Sequence, residues 1–75
     1  MIRLPAVKPR KLLRALQSAG FYVDHVRGSH YYLKHPDKPG VLVVLPYHNK
    51  DLKRGTLISI LAQAGLTVDE LVALL

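Results

Sequence analysis

Seventy-five residues make one small domain, and a chain of this length buries only about 60% of its unfolded surface; with no cysteine, neither a disulfide nor a thiolate–metal site can staple it, as suits a reducing cytoplasm. Every apolar run falls well short of the ~20 residues a membrane span needs, and residues 1–8, with Arg3, Pro5 and Lys8, lack the apolar stretch of a secretion signal, so a cytoplasmic protein with no membrane segment is expected. The net charge of +6 is lopsided: residues 1–54 carry all eleven Lys and Arg against three acids, a net of +8, whereas residues 55–75 hold only Asp69 and Glu70, which suggests a half that faces a polyanion such as nucleic acid and a half that packs.

The chain opens with an irregular lead, Met1 to Lys8. Pro9 stands where a first helical residue is tolerated, and Leu12, Ala15, Leu16 and Ala19 form one apolar stripe that Gly20 stops. Arg10, Lys11 and Arg14 lie off that stripe, either solvated or holding phosphates. Phe21 to Arg27 and His30 to Lys34 read as a β-hairpin turned by Gly28-Ser29, with Gly28 supplying the positive φ of a II′ turn. His35 to Gly40, with two prolines and a glycine, reads as a turn cluster, and Val41 to Leu45 as a third strand. Pro46 to Lys53 is a polar connection. A second helix runs from about Arg54, with Leu57, Ile60, Leu61 and Ala64 on its apolar side and Gly65 closing it. Thr67 to Glu70 matches a capping box, and Val68, Leu71, Val72 and Leu75 give a short third amphipathic helix. The order α-β-β-β-α(-α) predicts an α+β fold, a three-stranded antiparallel sheet packed on helices that cover one face.

A two-residue turn puts Arg27 opposite His30. On the same face His25 then meets Tyr32 and Val23 meets Lys34, while Val26–Tyr31 and Asp24–Leu33 fall on the other. Asp24 is a misfit on that inward face, which calls for a bulge or an edge position. The third strand has apolar residues on both faces, so part of the open side is expected to be covered, with another chain as one candidate cover.

Four histidines, His25, His30, His35 and His48, are the residues able to move protons near neutral pH. They do not suggest a metal site, because His35 faces away from His25 and His30 and no thiolate is available. Ser29 lacks a nucleophile elbow, and Lys53-Arg54-Gly55-Thr56 has the wrong spacing for a phosphate-binding P-loop. RNA scission asks for less. The 2′-hydroxyl is the nucleophile, and the protein need only transfer protons and steady the phosphate charge. His30 beside Arg27 and Lys34 meets that minimum, although a half-exposed strand histidine is the blander reading.

Arg27-Gly28-Ser29-His30, preceded by Gly20-Phe21, together with Pro46-Tyr47-His48-Asn49-Lys50-Asp51-Leu52-Lys53-Arg54-Gly55-Thr56-Leu57, then Ile60-Leu61 and Ala64-Gly65, resembles the HicA (YcfA-like) family of toxin ribonucleases. The resemblance covers nearly the whole chain. It implies a fold similar to double-stranded-RNA-binding domains, cleavage of mRNA without metal or other cofactor, and neutralisation by a HicB-like antitoxin. It also implies that His30 is the catalytic histidine and that Gly28 and Ser29 form the turn presenting it. His48 matches a recurring position, open to proton transfer, a phosphate contact or loop anchoring. Arg27 and Lys34 enter as RNA contacts from the hairpin geometry. Lys50, Lys53 and Arg54 enter as RNA contacts near a helix N-terminus, with solvation as their alternative. The antitoxin is expected to occlude His30. The competing function is a non-catalytic RNA-binding module of the same architecture.

Overall fold

In a computed structural model of the chain, which describes residues 3–75, the elements run α1 (Pro9–Ser18), β1 (Tyr22–Arg27), β2 (His30–His35), β3 (Lys38–Pro46), α2 (Arg54–Ala64) and α3 (Val68–Leu74). The strands form one antiparallel sheet in the order β1-β2-β3, and this is the α+β arrangement expected. Residues 3–8 of the lead lack regular structure; Met1 and Ile2 lie outside the described residues.

Helical period explains the core. Leu12, Ala15 and Leu16 of α1 are buried, as are Leu57, Ile60, Leu61 and Ala64 of α2, and they meet Leu33, Val43 and Leu45 from one face of the sheet. Val7 and Leu52 join them from irregular segments, tied together where the Leu52 N–H donates to the Val7 carbonyl at 2.8 Å. α2 packs on β3, while α1 packs on α3 and β3. No buried residue in this core, among those described, is polar or charged.

The helix ends differ in chemistry. α3 has the full capping box, with the Glu70 N–H donating to the Thr67 hydroxyl and the Thr67 N–H to the Glu70 carboxylate. α1 and α2 begin at Lys8 and Lys53 with no side-chain cap and no acid in the first turn. Their N-terminal N–H groups and dipoles therefore stand beside cations rather than anions. At its other end α2 closes on Gly65 at φ +72°, and Lys38 reaches across from β3 to donate to the Ala64 carbonyl at 3.1 Å.

Three expectations need correction. Val23 pairs with Leu33 rather than Lys34, because a bulge between Val23 and His25 lifts Asp24 out of the inward row. The turn read over His35 to Gly40 is shorter than that span: β2 continues to His35, the turn is Pro36-Asp37, and β3 already starts at Lys38. Pro39 is tolerated because β3 is an edge strand, and the pairing shifts between Leu33 and His35 while Gly40 sits at φ +83°. In α3, Leu71 is fully buried and Val68 and Leu74 are half-buried, whereas Val72 and Leu75 point outward. The helix is too short to bury a wider stripe.

Candidate functional site

Gly28 has φ +58° and Ser29 stays at negative φ, the combination of a II′ turn. The turn sets Arg27 directly opposite His30, with Pro46 of β3 on the far side of His30. The next pair on the same face is His25–Tyr32, flanked by Val44. Leu33, Val43 and Leu45 carry the other face into the core, so this face is the one the helices leave open. His30, Arg27, His25 and Lys34 are all exposed on it. So are Tyr22 and Leu42, at 46% and 42% exposure, which gives the face apolar ground among its cations.

The bulge brings Asp24 to this open side. Its carboxylate lies 2.8 Å from His25 Nδ1 and 3.7 Å from Lys34 Nζ. The His25 hydrogen bond, helped by the Lys34 charge, holds the Asp24 carboxyl below its ordinary value. Lys34 is thus drawn toward Asp24, with the Tyr32 row lying between it and His30.

His48 lies just beyond the end of β3, exposed, with Nδ1 accepting the Lys50 N–H at 3.2 Å. Together with Lys8, Arg10, Tyr47 and Asn49 it lines an open cleft of about 380 Å³. The Tyr47 ring stacks on Tyr31 at 4.5 Å, which anchors this loop to the hairpin that carries His30. Lys53 and Arg54 are exposed at the start of α2, but Arg54 lines a different cleft with Leu4, Pro5, Leu52 and Leu57. The structure therefore groups Arg27, Gly28, Ser29 and His30 at the turn, and joins His48 to Lys8 and Arg10, with Lys50 tied to His48 through its backbone N–H. It leaves Lys53 and Arg54 on separate ground.

His35 is a structural residue. Nε2 donates to the Ala19 carbonyl at 3.0 Å, Nδ1 accepts the Asp37 N–H at 3.0 Å, and the ring meets Phe21 edge-on. Those partners use both ring nitrogens, Nε2 as donor and Nδ1 as acceptor, within the fold itself. Among the described residues no three histidines or acids converge as a metal-binding group. No single helix there is long and apolar enough to cross a membrane.

Sequence reasoning missed Lys8, and it left Asp24 unresolved between a bulge and an edge. An acid in an inward row was the visible signal for the bulge; nothing local marks Lys8 as a neighbour of His48.

No curated protein matches the chain. Residues 9–66, from the start of α1 to just past α2, match the family model described as the HicA toxin of bacterial toxin–antitoxin systems. The matched span takes in the Gly28 turn, the three strands and the His48 loop, and on that match the chain belongs to the HicA toxin family.

Proposed function

We propose that this member of a toxin family is a metal-independent endoribonuclease that cleaves mRNA in the cytoplasm, with His30 as a catalytic proton-transfer group. The observation that supports it best is the position of His30: exposed, at the lip of a two-residue turn, opposite Arg27 and on the sheet face that the helices leave open. An imidazole there can take the proton of a 2′-hydroxyl lying against the sheet, and Arg27 can offer hydrogen bonds to the phosphate as charge builds on it. Gly28 and Ser29 hold that pair in place. Lys8, Arg10, Lys50 and His48 extend a basic path from the turn along which an RNA strand can run.

The family implies an antitoxin partner. A HicB-like protein that covers the open face, meeting Tyr22 and Leu42 with apolar groups and Arg27 and Lys34 with acids, occludes His30.

The test is incubation of the purified chain with RNA in the presence of chelator, alongside growth of cells expressing the parent or His30→Ala. Cleavage and growth arrest by the parent alone are expected. Equal toxicity of His30→Ala overturns the assignment. Salt-sensitive RNA binding without products, affected by Lys and Arg changes more than by His30, would instead mark a binding module.

A further inference from the structure

The open face holds a second imidazole, in a setting unlike that of His30. His25 lies flat on Tyr32, with ring centroids 4.4 Å apart and planes 7° from parallel. Its Nδ1 lies 2.8 Å from Asp24 Oδ2. An ionised carboxylate only accepts, so Nδ1 carries the hydrogen, and Nε2, the other edge of the ring, has no hydrogen-bond partner among the described residues. The side chain is 47% exposed, which leaves that edge open to a ligand. The arrangement depends on the bulge between Val23 and His25; in a regular strand Asp24 would point to the opposite face. A carboxylate fixing the tautomer and an aromatic ring fixing the plane are what a proton-transferring imidazole needs.

His25 is also correctly spaced from His30. The two occupy adjacent cross-strand pairs on one face and are diagonal neighbours, with backbones about 7–8 Å apart, close enough for one phosphodiester to be reached from both positions. Their surroundings differ in charge. His25 faces the Asp24 carboxylate, which it shares with Lys34, whereas His30 stands across from the Arg27 cation.

We propose that His25 is the proton donor to the leaving group in RNA scission and that Asp24 is its positioning residue; this rests on the ribonuclease reading above. His30 removes the proton of the 2′-hydroxyl, and the 2′-oxygen forms its bond to phosphorus. The bond from phosphorus to the 5′-oxygen breaks with its electron pair on that oxygen, which takes the proton from His25 Nε2. The products are a 2′,3′-cyclic phosphate and a free 5′-hydroxyl, and both rings regain their starting protonation from solvent.

The test uses the full chain and a pool of oligonucleotides, each with one ribonucleotide in randomised flanks, followed by either a 5′-oxygen or a 5′-sulfur at the scissile linkage. A thiolate leaves without needing a proton. His25→Ala and His25→Asn are expected to cut the oxygen linkage about 100-fold more slowly or worse, yet to cut the sulfur linkage at close to the parent's rate. Asp24→Asn should show the same pattern more mildly. His30→Ala, whose proton-accepting role sulfur does not replace, stays inactive on both. Equal slowing on both linkages, or no slowing on oxygen, overturns the donor assignment while an active parent and a dead His30→Ala leave the ribonuclease standing. A parent that cuts neither linkage overturns both.

Discussion

The backbone N–H of Tyr47 donates to the carbonyl of Ser29 at 2.7 Å. That bond, with the stacking of Tyr47 on Tyr31, joins the turn bearing His30 and the loop bearing His48 at one end of the sheet. Tyr47→Ala keeps the backbone bond and removes the stack, a pair contribution of about 0.5–1.5 kcal/mol beyond its area. In the His30→Ala background its thermal midpoint should fall by several degrees, while Tyr47→Phe should match the parent. A midpoint unchanged by Tyr47→Ala would show that the stack does not secure the loop.

Gly20 has a second constraint besides its turn. Its φ is +98°, and a Cβ there would lie 2.6 Å from His35 Nε2, the nitrogen already bonded to Ala19. Gly20→Ala should therefore destabilise by about 1–3 kcal/mol, from backbone strain and a displaced ring. Urea unfolding checks it, and a change under about 0.5 kcal/mol, the range of an ordinary surface substitution, would contradict the close approach.

Acid should weaken the fold through two identified carboxyls. Glu70 is held below its ordinary value of 4.5 by the Thr67 N–H and then the Thr67 hydroxyl. Asp24 is held below 3.8 by the His25 hydrogen bond and the Lys34 charge. A lowered folded-state value favours the ionised form in the native chain. The stabilisation is therefore complete above the ordinary values and disappears as pH falls through the lowered ones. These two groups should give the unfolding free energy no pH dependence between about pH 6 and 8 and a decline below about pH 4.5. Glu70→Gln should flatten part of that decline; an unaltered acid limb would count against the capping box.

Lys8 and Arg10 border the cleft beside His48. Replacing either with Ala should weaken RNA binding by the His30→Ala chain to a similar degree across sequences. Removing one cation from a phosphate should also reduce the slope of log affinity against log salt by roughly 0.7. A slope unchanged in both variants would place the RNA elsewhere.

Much of this was readable from residue order. Leu12, Ala15 and Leu16, then Leu57, Ile60, Leu61 and Ala64, repeat with helical period and are buried where that period requires. Gly28-Ser29 marks its turn by the chemistry of two adjacent residues. The less legible features depend on choices made at a distance. Asp24 in an inward row signals an irregularity, but that it is a bulge rather than an edge position follows only from the pairing of Val23 with the buried Leu33 across the sheet. Pro39 and Gly40 belong to loops by propensity, yet β3 keeps them because its outer edge asks for no donor there. Lys8 meets His48 only once α1 has packed beside the sheet.

Gln63 accepts the Val44 N–H at 3.1 Å, so α2 occupies part of the outer margin of β3. The opposite margin, β1, is buckled at Asp24. Neither rim offers a straight ladder for another strand to zip onto, and buckled or capped rims are how small sheets escape fibrillar self-association. With both rims so occupied, the broad open face rather than an edge is the surface this sheet presents for encounters.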